Sequence, residues 1–425
     1  VRSFPDVLPI TPVEHPLESV VHPPGSKSHT NRALIIAALA GGGVSRLFNP
    51  LVADDSAVMR TCLRRLGVMI DDVDDPWLVL GSGGELKAPS GPLDVGASGT
   101  TARFVTAIAA LADGPVTLDG TERMRRRPIG ALAAALEGLG AGIVTSGGFP
   151  PVTVTPGSLR GGLVEIDGSE SSQFVSALLM LGPMLPARLH IGLRNGELVS
   201  RPYVDATIEV MRVFGAEAWA TDTGFAVAPG GYHKAHYDIE ADASAAVYPA
   251  VAAAIRGGVV RIEGIPAGST QPDLSVLEVL GRMGCAIRRG PTSIEVSGPG
   301  TALAPIEADM GGSPDGALAV AVACLFAEGE SRLTGLSTLR LKETDRLTAL
   351  ETEIRRLGGL ARVEGDDLVV GPGPLRPARI ETYDDHRMAM AFSLVGLRVP
   401  GIEIVDPGCV SKTWPAFFDV LASLG

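Results

Sequence analysis

Six polar stretches, each leading into an apolar helical pattern, carry the side chains able to do chemistry. GSKSHTNR (25–32) offers Lys27, Ser28 and Arg32 around a helix start. Lys supplies a mobile point charge, Ser an N-cap hydroxyl, and Arg a planar fork for phosphate or carboxylate. GASGTTAR (96–103) brings Gly99 and Thr100, where backbone can approach a ligand closely. DGSESSQF carries Ser171, Ser172 and Gln173, a dense neutral hydrogen-bonding set. ADASAAVY has little chemistry beyond capping by Asp242 and Ser244. In MGGSPDGALA, Asp315 admits two readings, an N-cap aspartate or a general base. In YDDHRMAMAF, His386 and Arg387 open a buried helix, where charge is costly without a partner such as Asp384 or Asp385. Helix N-termini leave N–H groups unpaired and carry partial positive charge, so six such starts suit an anionic ligand.

Further basic groups lie between these stretches. RMRRRPIG holds Arg123, Arg125, Arg126 and Arg127 before a helix expected to begin at Pro128, and at most one or two of them should meet a ligand. LKETDRL holds Lys342, Glu343 and Arg346, with Glu343 and Arg346 spaced to pair on a helix. Lys412 lies in VSKTWP; taken alone it would pass for a solvated lysine. A nucleotide P-loop fails, because Ser26 and Val21 stand where its glycines belong. No strand leads into GxGxxG and no nucleophile elbow is present. What remains is a cofactor-free, cation-rich set with one or two carboxylates, suited to proton transfer on phosphorylated or carboxylated small molecules.

The elements that must carry these residues repeat. Helical patterns close at Gly67, Gly140, Gly215, Gly284, Gly358 and Gly425, at intervals of 73, 75, 69, 74 and 67. The polar landmarks Ser28, Thr100, Ser172, Ser244, Asp315 and His386 run in phase, spaced 72, 72, 72, 71 and 71. Each closing Gly fits a left-handed residue after a helix. The helices after the landmarks are apolar nearly all round, hence buried. Strand patterns follow at 115–120, 259–264 and 402–406, and again near 150, 292 and 367. Each unit reads strand, buried helix, strand, amphipathic helix, two strands. Six such units make an α/β protein, and three plus three is the natural division, with a midpoint near Tyr237 to Ala241.

Composition bounds the partners. The chain has 425 residues and a net charge of −12, with 4% aromatics, which argues against nucleic acid or an anionic membrane surface. Cys62, Cys285, Cys324 and Cys409 are scattered, with no metal or disulfide pattern. No apolar run is long enough to span a membrane, and Val1 to Thr11 lacks the core of a secretion signal. A cytoplasmic, soluble protein is expected.

The stretches GSKSHTNRAL, SGTTARF, RRRPIGAL, SSQFVSALLM, VSRPYVDAT, SPDGALA, LKETDRL, DDHRMAMAFSLVG and SKTWPAFF, from Gly25 to Phe418, resemble the 5-enolpyruvylshikimate-3-phosphate synthase family. That resemblance implies a two-domain inside-out α/β barrel of six βαβαββ repeats. The lobes would be 24–239, and 1–23 with 240–425. It implies transfer of the enolpyruvyl group of phosphoenolpyruvate to the 5-hydroxyl of shikimate 3-phosphate, with no metal or organic cofactor, by a monomer. By matched motif, Lys27 would touch both substrates. Ser28, Arg32, Ser171, Ser172, Ser200, Asp315 and Lys342 would hold shikimate 3-phosphate, with Tyr203 near its ring. Gln173 would span both ligands, and Gly99, Arg127, Arg346, Arg387 and Lys412 would hold phosphoenolpyruvate. Asp315 would accept the hydroxyl proton, Glu343 or alternatively Lys27 would protonate the methylene carbon, and Thr100 and His386 would line the site. The family is the target of glyphosate. This chain departs from it at Ala97, where Asn is frequent, at Phe104, where some members have Pro, and at Thr338, where some have Asn. Two other readings compete: transfer of enolpyruvate to a UDP-amino sugar by a fold relative with a Cys-bearing loop, and a noncatalytic sugar-phosphate binder. The only Cys of the first half, Cys62, sits in an amphipathic pattern that packs it away from solvent.

Overall fold

The computed structural model describes residues 4–425. Val1 to Ser3, with which the expected segment 1–23 and the stretch Val1 to Thr11 begin, lie outside the described residues.

Six helices made mainly of Ala, Leu, Ile, Val and Phe are buried along almost their whole length: Lys27–Leu39, Gly99–Ile108, Ser172–Leu181, Ala243–Arg256, Ala317–Cys324 and His386–Gly396. Strands flanking four of them pair in parallel: Leu93–Asp94 with Val116–Asp119, Gly162–Gly168 with Leu189–Leu198, Glu307–Asp309 with Ser331–Thr334, and Ala378–Ile380 with Ile402–Val405. A parallel pair needs a crossover, and the buried helix is that crossover. The amphipathic helix that follows ends on a glycine. Gly67, Gly140, Gly215, Gly284 and Gly358 all take φ between 83° and 107°, which a Cβ disfavours.

Alternation fixes which sheet face is inward. Pairing of Val116 with Val154 and Leu118 with Val152 buries all four, and leaves the Thr117 and Thr153 hydroxyls 2.9 Å apart on the other face. Five sheets have four strands and one has three. The mixed α/β class with six repeated small sheets is as expected.

Two repeats are not contiguous in sequence. Val44–Phe48, after helix Lys27–Leu39, pairs with His236–Asp238. Gly258–Glu263, after helix Ala243–Arg256, pairs with Leu17–Val21. Each of these helices is therefore preceded in sequence by a strand that serves the other's sheet. The last repeat has no closing hairpin; Val7–Pro9 takes the antiparallel place beside Ile402–Val405, with Val7 opposite Val405. Contacts divide the chain into two compact units, Gly25–Ile239, and Glu240–Gly425 together with the segment ending at Pro24. Each unit has its own apolar cluster, built from three buried helices and the inner sheet faces. No described helix is long and apolar enough to cross a membrane.

Candidate active site

In the unit Gly25–Ile239, the first polar loop enters helix Lys27–Leu39 through Ser26, which makes no side-chain cap bond. The capping expected of Ser28 is thus corrected: Ser28 is the second helical residue, and its carbonyl accepts from Arg32 Nη1 at 2.9 Å. Arg32 is buried. Its other N–H groups go to Thr207 Oγ1 at 2.6 Å, the Tyr203 carbonyl at 3.0 Å and Ser176 Oγ at 3.5 Å. All are neutral oxygens. Burial lowers its pKa to about 10, which still leaves a cation at neutral pH. Phe104, the departure noted in sequence, lies under this guanidinium with its ring centroid 5.3 Å away. Tyr203 follows Ser200, whose φ is 50°, and its amide donates to the Ser200 carbonyl at 3.1 Å.

His29 follows two residues after Lys27. Its Nδ1 lies 3.0 Å from the Tyr237 hydroxyl, and its Nε2 is buried without a hydrogen-bond partner. Burial, then the charge of Arg32, lowers its pKa to about 4. The unfolded chain takes up this proton near pH 6.5, whereas the fold refuses it until about pH 4. Stability from this group is therefore complete above pH 6.5 and is lost as pH falls toward 4, by about 3 kcal/mol. Urea unfolding of His29→Gln across that window is expected to show a shallower pH slope than the parent chain; parallel slopes would refute the burial effect.

The second loop is capped by Ser98, which accepts from the Thr101 amide. Two arginines crowd its first turn. Arg103 donates to the Gly99 carbonyl at 3.1 Å and the Pro128 carbonyl at 3.0 Å, and Arg127 donates to the Ala97 carbonyl at 3.3 Å. A Cβ on Gly99 would stand 2.4 Å from Arg103 Nη1 and 2.5 Å from Arg127 Nη2. Ala97 thus takes part through its backbone. Of the arginine run, Arg125 and Arg126 pair outward with Asp119 and Glu122, and Arg127 alone is 7% exposed and turned to the loop. The helix after the run begins at Gly130, two residues beyond the expected Pro128. The third loop is capped by Ser171, with Ser172 buried as the first helical residue. Gln173 Nε2 reaches Thr100 Oγ1 at 3.4 Å, joining the second and third loops, and its Oε1 has no hydrogen-bond partner.

In the other unit, the sequence-predicted residues form one connected network. Arg346, 1% exposed, donates from Nη1 to Asp315 at 2.9 Å and from Nη2 to Glu343 at 3.0 Å. From Nε and Nη2 it also grips both oxygens of Asp385, at 2.7 and 3.1 Å. Arg387 holds the second Asp315 oxygen at 2.9 Å and reaches the Tyr248 hydroxyl at 3.5 Å. Lys342 lies 4.0 Å from Asp315, and Lys412 lies 3.6 Å from Glu343. Burial alone would lower the Arg346 pKa, but Asp385, Glu343 and Asp315 together hold it above the usual arginine value. His386 is buried, 3.7 Å from Asp385.

The capping reading of Asp315 is corrected: its helix begins at Ala317 behind Gly316, and its carboxylate faces cations instead. Glu343 and Arg346 do pair, but Glu343 precedes the helix Arg346–Leu357, which Asp345 caps. Asp242 caps the fourth helix alone, while Ser244 donates to the buried Asp273. Burial, then the nearby charge of Asp315, raises the Asp273 pKa. Thr338 is buried, with no hydrogen-bond partner for its hydroxyl.

Sequence reasoning passed over Arg103 and gave Asp385 only a minor part. A signal existed for each. GSKSHTNR and GASGTTAR are both eight residues long and end in Arg. Asp385 directly precedes two basic residues opening a buried helix. Among the described residues, no group of three or more His, Cys, Asp or Glu is placed to hold a metal ion.

Two buried arginines at a helix start, and three carboxylates held on one guanidinium amid further cations, suit acid–base chemistry on an anion. A family model described as EPSP synthase (3-phosphoshikimate 1-carboxyvinyltransferase) matches residues 12–421. The chain is 41% identical, over 98% of its length and 97% of the relative's, to the 3-phosphoshikimate 1-carboxyvinyltransferase of Pseudomonas syringae pv. syringae. It is 42% identical, over 97% and 98%, to the enzyme of that name from Nostoc punctiforme. Among solved structures, EPSP synthase from Acinetobacter baumannii is similar, with TM-score 0.82, 26% identity, and coverage of 99% of this chain and 98% of that one.

Proposed function

Because the chain belongs to the EPSP synthase family, we propose that its two sets of buried cations and its pair of carboxylates divide the work of that family's reaction. The reaction is enolpyruvyl transfer from phosphoenolpyruvate to the 5-hydroxyl of shikimate 3-phosphate. The hydroxyl oxygen bonds to C2 of phosphoenolpyruvate as its proton leaves and C3 gains one. The tetrahedral adduct then loses phosphate from C2 and a proton from C3, which restores the double bond as an enol ether.

The roles follow from the side chains. Asp315 takes the hydroxyl proton and Glu343 delivers one to C3, each by positioned proton transfer. Both carboxylates rest on Arg346, which keeps negative charge compensated as a proton passes. This shared arginine is the observation that carries the assignment. Arg127, Arg346, Arg387 and Lys412, with Gly99 at a helix start, hold phosphoenolpyruvate. Ser28, Ser171, Ser172, Ser200, Tyr203, Asp315 and Lys342 hold shikimate 3-phosphate, and Lys27 and Gln173 meet both ligands. Arg32 adds its charge from beneath while its N–H groups fix Tyr203 and Ser28. The cations offset repulsion between two polyanions and pre-orient the hydroxyl. Each unit holds part of the set, and the single chain is the proposed working unit. Four cysteines without disulfides support a reducing, cytoplasmic setting.

The rival sugar-nucleotide reading needs a reactive thiol in the first half. Cys62 is buried on helix Asp54–Arg65, and burial pushes its thiol up to about 12, which disfavours the thiolate. Phosphate release from phosphoenolpyruvate, with shikimate 3-phosphate or a UDP-amino sugar as acceptor, tests the proposal. Release is expected with the first acceptor only; release with neither would favour a binding protein.

Gly99→Ala is expected to fold and to raise the phosphoenolpyruvate KM. The added methyl displaces only the ends of Arg103 and Arg127. An overpacking cost of about 1–3 kcal/mol, taken from ligand binding, corresponds to about 5–150-fold in KM. Steady-state kinetics check it, and an unchanged KM would remove Arg127 from the phosphoenolpyruvate set.

A further inference from the structure

The turn that delivers Asp385, His386 and Arg387 holds an unfavourable backbone. Tyr383 and Asp384 have φ of 56° and 54°. Left-handed backbone is disfavoured for non-glycine residues, for a bulky one most of all, and persists only where the surroundings fix it. Here one face of helix Arg346–Leu357 does so. Arg346 and Glu353 are seven residues apart, about two turns, and therefore share a face. Arg346 grips Asp385 at 2.7 and 3.1 Å. Glu353, fully buried, accepts from the Tyr383 hydroxyl at 2.7 Å and from the Glu381 amide at 3.3 Å, and Arg356 approaches it at 3.1 Å. The turn is thus tied to one helix face at 381, 383 and 385. Asp385 in turn accepts from the Arg387 amide at 2.9 Å, so the turn sets where Arg387 starts.

We propose that Glu353 and Tyr383 are positioning residues that lock the 381–385 turn so that Arg346 and Arg387 are held ready for phosphoenolpyruvate. The inference rests on the assignment of those two arginines above. Burial, then the bond to Glu353, raises the Tyr383 pKa, so the phenol keeps its proton and remains the donor. Neither residue meets substrate; both act through Asp385 and its partners.

The test uses the full chain and Tyr383→Phe, which removes one hydroxyl from a ring that is 40% exposed. The phosphoenolpyruvate KM is expected to rise about 5- to 20-fold, less than the loss of a whole charge-assisted hydrogen bond because the lock acts on Arg387 through Asp385, with the shikimate 3-phosphate KM within about twofold. Amide exchange at Asp385–Arg387, measured without ligands, is expected to quicken. Glu353→Leu, which removes the acceptor oxygens, should show the same pattern, and adding Tyr383→Phe to it should make it no worse, because the hydroxyl then has no Glu353 bond left to lose. Unchanged exchange in Tyr383→Phe overturns the locking role whether or not the enzyme turns over. Quicker exchange with an unchanged KM, or equal weakening of both substrates, overturns the link to phosphoenolpyruvate. A parent chain without turnover would instead count against the proposed reaction, and the exchange arm would still decide the lock.

Discussion

Asp315→Asn is expected to lower kcat by about 10²–10⁴-fold, the usual contribution of a positioned proton acceptor. The substitution keeps the volume and removes the base. It also removes one negative charge from among Arg346, Arg387 and Lys342, which lie 2.9, 2.9 and 4.0 Å from the carboxylate. The freed cations then face the ligands more strongly, so KM for phosphoenolpyruvate should hold or fall. A drop in kcat with steady or tighter binding separates a lost base from a collapsed site. Steady-state kinetics with both substrates decide it, and a variant keeping more than about a tenth of the parent kcat would remove Asp315 from proton transfer.

Arg346→Met is expected to destabilise its unit by about 3–5 kcal/mol, the cost of leaving a buried charge without its partner. Met matches the apolar stem but supplies none of the four hydrogen bonds to Asp385, Asp315 and Glu343. Asp385, fully buried, bears the loss most directly. Arg346→Lys should fall between the two, because one ammonium cannot span three carboxylates as a planar fork does. Urea unfolding followed by far-UV circular dichroism measures the change. A shift of less than about 1 kcal/mol would mean that Asp385 finds another partner or becomes neutral, and that the network is looser than its distances imply.

Much of this site was legible because its residue types recur in phase. Six helix starts about 71 residues apart mark Lys27, Gly99, Ser172, Asp315 and His386, and the apolar helices mark the core. Alternation gave the strands, as at Val152 and Val154. Pairing across the chain was hidden, because strands Leu17–Val21 and His236–Asp238 carry no mark of which sheet will take them. Caps were misread where several polar residues compete. Ser26 precedes Ser28, and the helix after Asp315 starts one residue later than a cap there requires. Glu353 was invisible for a different reason. It sits among Thr, Arg and Glu on an apparently solvated face, and only the fold of a distant turn brings Tyr383 to it.

The crossed strands impose an order of assembly during synthesis. Gly25–Ile239 has every strand of its sheets once Asp238 has left the ribosome, so it can complete itself while the remainder is still being made. Leu17–Val21 is made before that unit yet must wait for Gly258–Glu263, and Val7–Pro9, made earlier still, must wait for Ile402–Val405. A nascent chain stalled shortly after Asp238 would therefore already resist protease across Gly25–Ile239, while its leading segment would remain open to cleavage.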